Sequence, residues 1–316
     1  MSRRRARVIH GGVSLHERLR AAREGWAVGP VLERAFLRVT GKDAQDYLHR
    51  MSTQDLARLK PGESAYAAFL NAKGHLLGEG HVLAREGEIL VELDPAAAPE
   101  TRALLEKLVI MDDVTFEDLS ATLRALPVLG PDGPARLGGR AGSAPVVPTA
   151  RRGAPCVDVW APAAEAEALR AALVADGAAP LDLAELESLR ILAGVARFGA
   201  DMDASRLPME AGLTRAAISF SKGCYIGQEV VLRATARGHL QRGLVQLELP
   251  PGAGPGTPLV AGGQEVGAVT SVAETPEGRL GLGYLRRAHW KPGERVRAGE
   301  GEAVVRAVIV EDGVVA

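Results

Sequence analysis

The chain has 316 residues, 47% of them apolar and 24% charged, which excludes wholesale disorder and a single small module and allows about two domains. Its 38 Lys and Arg against 39 Asp and Glu leave a formal net charge of −1, so no overall field holds it on nucleic acid or an anionic membrane. Only Cys156 and Cys224 occur, with no CxxC spacing, which argues against a disulfide scaffold or a self-contained zinc or iron–sulfur site and fits a reducing, cytoplasmic setting.

Residues 1–29 open with the basic run Arg3 to Arg7, and Gly11 and Gly12 follow where a secretory signal needs an apolar segment; they read as a basic N-terminal tail. No apolar run nears the roughly 18 residues of a membrane span. Residues 35–40 alternate as a strand, and Ala44, Tyr47, Leu48 and Met51 follow at helical spacing. Strands are predicted over 64–71, 75–84 and 88–93, and the turn signals Lys73-Gly74 and Glu86-Gly87 make them an antiparallel meander. Asp94-Pro95 opens a predicted helix, with Asp94 as its cap. Between Gly130 and Pro148 nine of nineteen residues are Gly or Pro, so a loop or domain crossing is expected there. A strand over 156–160, an Ala-rich helix over 163–175 and a second helix from Asp182 follow. From Gln241 onward, short β-like runs at 244–249, 265–272, 280–285 and 303–310, set between Pro-Pro-Gly and Gly-Gly turns, predict a C-terminal β-barrel.

One stretch concentrates unusual chemistry: Ser221-Lys-Gly-Cys-Tyr-Ile-Gly-Gln-Glu-Val-Val-Leu-Arg233. Gly223 and Gly227 allow a tight backbone around Cys224, and Val230, Val231 and Ala234 place a helix close behind it. A helix N-terminus there, with Lys222 two residues away, favours thiolate over thiol and makes Cys224 a candidate nucleophile or soft-metal ligand, with Lys222 as its activating partner. The alternative is a buried, inert cysteine. Gln228 and Glu229 suit the first turn of any helix. No histidine stands in metal-ligand spacing, so His239 reads as a turn residue. No Gly-x-Ser-x-Gly elbow, dinucleotide fingerprint or P-loop occurs, which removes the serine-hydrolase, hydride-transfer and phosphoryl-transfer classes. The clusters Arg3 to Arg7 and Arg151-Arg152 are too short to supply enough phosphate contacts, so direct nucleic-acid binding is not expected.

The octapeptide Lys222 to Glu229 resembles the K-G-C-[FY]-x-G-Q-E signature of the YgfZ family, relatives of the glycine-cleavage T-protein, and the similarity extends to residues 39–48, 69–74 and 207–213. It implies an α+β, T-protein-like three-domain cloverleaf. Its parts are a discontinuous folate-binding-type domain (30–128 and 181–238), an inserted α+β domain (129–180) and a C-terminal β-barrel (239–316). The resemblance further implies tetrahydrofolate or a one-carbon derivative in a central channel, and a role in assembling or repairing iron–sulfur enzymes, including tRNA-thiolating ones. The implied partners are those enzymes or cluster-assembly proteins. Cys224 would act with at most a transient metal contact, and a monomer without a stable metal is expected. The motif residues are then Gly223, Tyr225, Gly227, Gln228, Glu229 and Arg233, and folate contacts fall on Tyr66, Asn71, Arg190 and Glu210.

Two departures from the T-protein pattern bear on activity. Leu77 and Gly78 stand where that family places a catalytic aspartate, and Glu79, one position on, is expected on the opposite face of its strand. Leu192 replaces the glutamate that binds the pterin, and Glu210 is the candidate to compensate. A non-classical role is therefore expected, with a folate-dependent aminomethyl or methyl transferase and a non-catalytic folate-binding scaffold as the alternatives.

Overall fold

The computed structural model describes residues 14–236 and 240–310, so the Arg3 to Arg7 cluster and His239 lie outside the described residues. The chain begins with helix α1 (Leu15–Glu24) and strands β1 (Ala27–Val28) and β2 (Ala35–Thr40), followed by α2 (Ala44–Met51). Strands β3 (Ser64–Leu70), β4 (Leu76–Arg85) and β5 (Glu88–Leu93) lead to α3 (Ala98–Lys107) and β6 (Thr115–Asp118). The middle section holds β7 (Leu123–Leu129), α4 (Gly133–Leu137), β8 (Val146–Thr149), β9 (Cys156–Pro162), α5 (Ala163–Ala175) and β10 (Ala179–Pro180). Helices α6 (Leu183–Leu192), α7 (Thr214–Ala217) and α8 (Gln228–Ala236) precede β11 (Arg242–Glu248), β12 (Pro258–Ala261), β13 (Gln264–Thr275), β14 (Gly278–Arg286), β15 (Arg295–Ala298) and β16 (Gly301–Val308).

These strands make three sheets. The first is five-stranded in the order β3-β4-β5-β2-β6, the second five-stranded in the order β10-β1-β7-β9-β8, and the third is the closed barrel β11-β14-β13-β12-β15-β16. The barrel expected from the short C-terminal runs is present; β12 and β15, four residues each and bordered by turns, were too brief to register as periodic runs. The α+β architecture with a C-terminal β-barrel holds. No helix among the described residues is long and apolar enough to cross a membrane.

The structure departs from the sequence expectations in four places. The segment read as a tail folds from Ser14 onward: Ser14 and Glu17 form a reciprocal capping box, α1 buries Leu19 and Ala22, and β1 joins the second sheet beside β7 and β10. β7 likewise belongs to the second sheet, although 123–128 was placed with the first domain. The helix expected from Pro95 starts at Ala98; Asp94 serves the turn before it, one carboxylate oxygen accepting from the Ala96 amide at 3.1 Å while the other binds Arg34 at 2.8 Å. Finally, the Gly/Pro-rich stretch from 130 carries the short helix α4, with proline in its first turn, and ends in β8, where Pro148 is tolerated because β8 is an edge strand.

Candidate functional site

Strand register assembles the site. On the first sheet His81 of β4 pairs with Tyr66 of β3 on one side and with Glu92 of β5 on the other, and Glu92 pairs with Phe36 of β2. Strand alternation puts Glu79 on the same face as His81. The opposite face is turned to α3: a Cβ on Gly78 would meet Thr101 Oγ1 at 2.4 Å and Ala97 at 3.1 Å. Glu79 therefore lies on the face opposite Gly78, as expected, and that face carries the charged cluster. The alternation was right, but position 78 is the one that faces a helix.

The second sheet closes over this face. Part of the junction is apolar, with Phe36 and Trp160 edge to face at 5.3 Å beside Leu83, Leu90 and Val147. The rest is charged. Arg151, in the loop between β8 and β9, pairs with Glu79 at 3.3 Å and with Glu92, while Arg34 pairs with Glu92 and Asp94. Arg152 holds Asp158 at 2.6 Å. Gly153 presses this loop onto α6, since its φ of +75° is left-handed and a Cβ would meet Leu189 O at 2.3 Å. Arg151 and Arg152, weighed above as an RNA contact, are therefore enclosed by protein.

Three guanidiniums face four carboxylates here. Burial pushes the Glu79 carboxyl above its ordinary value against the pull of Arg151 and Arg34. Burial also opposes ionisation of Glu92, but Arg151 and Arg34 outweigh it and hold that carboxyl well below the usual range. Glu79, whose Oε2 accepts from Tyr66 Oη at 2.6 Å, is thus the acid of this set that burial raises. Burial and then Arg151 pull His81 down to about 3, leaving it neutral, and neither of its buried ring nitrogens has a hydrogen-bond partner. Arg151 Nε is also buried and unpartnered. Beside this cluster opens a cavity of about 440 Å³, bordered by Glu79, Arg34, Asp94, Arg151 and Arg152, by Glu187 and Arg190 of α6, and by the apolar lip Leu32, Leu183 and Leu186. That volume falls within the roughly 300–1,000 Å³ of small-ligand sites.

The sequence-derived folate contacts divide. Tyr66 lies in the cluster. Arg190 borders the cavity, yet all five of its N–H donors are used: on Glu187 twice, and on Asp201, Ser271 and the Val195 carbonyl once each. It ties α6 to the barrel and has no donor left for a ligand. Glu210 does not compensate for Leu192, because its oxygens accept from Arg242 Nε at 3.0 Å and the Leu207 amide at 3.2 Å, and it does not line the cavity. Leu192 itself packs between apolar clusters. Asn71 shapes the β3–β4 turn, its Oδ1 accepting from the Lys73 and His75 amides at 2.9 and 3.1 Å.

That turn meets the octapeptide. Gly227 has a left-handed φ of +80°, and a Cβ there would meet Asn71 O at 2.7 Å and Gly74 Cα at 2.9 Å, so two glycines let the two segments touch backbone to backbone. Lys222 is buried, and its ammonium donates to the carbonyls of His49, Ser52 (2.7 Å) and Gln54 (3.0 Å) just past α2. Burial pulls it down to about 8. Its place as an activating neighbour of Cys224 is corrected accordingly, because its donors are committed to these carbonyls. The Lys222 ammonium also lies 5.3 Å from the centre of the Tyr225 ring, which is buried in the core. Cys224 is exposed, and Gly223 before it has open space where a side chain would stand. Helix α8 starts at Gln228, four positions beyond the cysteine, and Glu229 and Arg233 form an exposed i,i+4 pair. Cys156 sits buried on β9 with its Sγ 3.8 Å from Asp158, on a different sheet.

Sequence reasoning missed His81, Glu92, Arg34 and Asp158 as site residues. The available signal was the alternation of Glu79 and His81 along a strand whose every residue from 76 to 84 is buried.

Comparisons with known proteins agree with this architecture. Residues 14–141 match the GCVT N-terminal domain, and residues 242–315 match the glycine cleavage T-protein C-terminal barrel domain. The chain is 30% identical over 294 residues to an aminomethyltransferase of Rubrobacter xylanophilus, covering 85% of this chain and 78% of that one. It is 29% identical over 279 residues to an aminomethyltransferase of Synechococcus sp. strain RCC307, covering 81% and 77%. The crystal structure of glycine cleavage system aminomethyltransferase T from Bartonella henselae superposes with a TM-score of 0.80 at 22% identity, covering 95% of this chain and 90% of that one.

Proposed function

The chain belongs to the glycine cleavage T-protein, or aminomethyltransferase, family, and from that premise we propose that it is a tetrahydrofolate-binding accessory protein of the YgfZ type. In this reading it supports the assembly or repair of iron–sulfur enzymes through Cys224. The observation that carries it is the placement of that thiol: exposed, on a loop held by Lys222 beneath and by the Gly227–Gly74 contact beside. A loop fixed in this way presents the sulfur to a partner without burying it.

The cavity fits the cofactor. A reduced pterin presents several N–H donors, and a folate tail presents carboxylates. The cavity offers Glu79 and Glu187 as acceptors and the Arg151–Arg152 loop as cationic ground, and Arg151 Nε is a buried polar atom lacking a partner. Bound tetrahydrofolate supplies nitrogens that carry a one-carbon unit. Glu79 would accept from the pterin edge in place of Leu192, and the Leu32, Leu183 and Leu186 lip would cover the ring system.

Calorimetric titration with tetrahydrofolate and its one-carbon derivatives under reducing, oxygen-free conditions tests the cofactor assignment. Micromolar binding that weakens at least tenfold in Glu79→Gln is expected, about 1.4 kcal/mol for that acceptor. Absence of binding removes folate from the reading.

Glu79 also favours a second reading, one-carbon transfer as in the aminomethyltransferases. A buried carboxyl held above its ordinary value at a cavity wall is placed to exchange a proton with a bound group. Turnover of an aminomethyl-lipoyl carrier with tetrahydrofolate would establish it, and failure to turn over leaves the accessory reading.

A further inference from the structure

Between α3 and β6 the chain turns outward, and Ile110 and Met111 stand there 84% and 93% exposed, more than any other large apolar side chain among the described residues. The turn itself is firmly held. Val109 and Val114 on either side of it pack against the core of the first sheet. Asp112 binds the Arg50 guanidinium at 2.5 Å. The Asp113 amide donates to the Asp43 carboxylate at 2.8 Å, and its carbonyl accepts from the Asp43 amide at 3.3 Å. Tyr47 of α2 anchors the end of α3, donating to the Leu105 carbonyl at 2.5 Å. Single exposed apolar residues are ordinary, but two adjacent ones on a fixed tip mark a contact surface.

We propose that Ile110 and Met111 form a knob that docks into an apolar pocket of a protein partner, a pocket rimmed by lysine or arginine. The charge around the tip selects this occupant. The turn and its brace carry Asp43, Asp46, Asp112 and Asp113 against Arg50 and Lys107, four carboxylates to two cations, since Glu106 is held by Arg102 and Lys42 lies toward Gly87 and Glu88. That negative surplus opposes an anionic membrane surface, which attracts apolar segments flanked by Lys and Arg. It also opposes a second copy of the chain, because a two-fold contact sets the tip against itself. A basic rim is attracted instead. The knob shares its brace with the Cys224 loop: Lys222 donates to the carbonyls of His49 and Ser52 at the end of α2, and Arg50 between them holds Asp112. Chain and side-chain lengths along that path keep Met111 and Cys224 within about 35 Å of each other, near the width of a standard interface of roughly 800 Å² per partner. One partner therefore covers both. That link rests on the proposed function, whereas the knob's chemistry does not.

The test is photo-crosslinking in cells, with p-benzoylphenylalanine in place of Met111 in the full chain. Irradiation should give an adduct with another protein. Produced separately, that protein should bind the parent chain less tightly as salt rises, and should bind the Ile110→Ser, Met111→Ser double variant at least about tenfold more weakly. Both side chains already face solvent, so the double variant should melt within about 2 °C of the parent. No adduct, an adduct with a second copy of the chain, or a partner that binds the double variant as tightly as the parent overturns the proposal. So does sedimentation of the parent with vesicles of phosphatidylglycerol and phosphatidylethanolamine that the double variant abolishes. Asp113→Lys should weaken the same partner's binding about threefold at low salt, and unchanged or tighter binding overturns the basic rim. Cys224→Ala should form the same adduct. A chain whose tip docks but whose thiol is dispensable then fails the proposed function alone, and a chain whose thiol is required but whose tip gives no adduct fails this proposal alone.

Discussion

Between the first two sheets, Glu79, Glu92, Asp94 and Asp158 are buried with Arg34, Arg151 and Arg152, whereas the loop around Cys224 buries a single ammonium and leaves its sulfur outside. The first region joins two sheets through side chains whose charges must all find partners, because an unpaired buried ion costs several kcal/mol. The second is positioned by backbone: Lys222 reaches only carbonyls, and Gly227 meets the β3–β4 turn with no side chain between. The difference separates folding from function. Substitutions in the cluster should act on stability and on the cavity together, whereas outward residues of the loop should be replaceable without cost to the fold.

The largest effect is expected from Arg151→Met. It strips Glu79 and Glu92 of a shared partner in a buried site, and the loss should be about 3–5 kcal/mol in urea unfolding. A loss under about 1 kcal/mol would mean that water reaches these carboxylates and that the two regions are not different in kind.

His81→Leu sharpens the same side of the comparison through pH. Burial holds the His81 ring down to about 3 in the folded chain, against 6.5 for the unperturbed residue. Between those values the unfolded chain binds the extra proton, so His81 contributes stability that is whole above about pH 6.5 and is lost as pH falls toward 3. Glu79, raised by burial, works in the other direction as pH falls. The variant should lose less stability on acidification, by on the order of 4 kcal/mol across the full window, and should differ little at pH 7. Parallel pH–stability curves for parent and variant would show that His81 is not sealed from solvent.

These expectations mark what the sequence made legible. Period-2 runs and paired Gly turns were enough for the meander and the barrel, since each is made of neighbouring strands. The octapeptide was visible because its residues are contiguous. The cluster was hidden because its members come from β3, β4, β5, β9 and the segments before β2 and β9, and only strand register and the docking of two sheets bring them together. Charged residues in strands also read as solvent-facing, which concealed Glu79, His81 and Glu92 at a buried junction. Lys222 misled for a related reason. Nearness in sequence suggested a partner for Cys224, while the folded chain turned its ammonium to the end of α2.

Within the loop, Gly227→Ala should cost about 1–3 kcal/mol, because its φ of +80° is strained for any side chain and the β3–β4 turn blocks a Cβ. Gly223→Ala is the internal control, with ordinary φ and open space, and should stay within about 0.5 kcal/mol. Equal costs at both positions would contradict the backbone contact that fixes the loop.

The smallest effect on folding should come from the substitution with the largest proposed effect on function. Cys224 is exposed, and no hydrogen bond or ion pair of its side chain occurs among the described residues, so Cys224→Ala should change stability by no more than about 0.5 kcal/mol. In a strain lacking this gene, the variant should nonetheless fail to restore iron–sulfur enzyme activity while still binding tetrahydrofolate. Full restoration would reduce the loop to a surface feature and leave the protein a folate-binding scaffold, with its chemistry confined to the cavity. Loss of stability instead would show that the sulfur has a structural role, and the contrast between a buried cluster that folds the protein and an outward thiol that serves a partner would no longer stand.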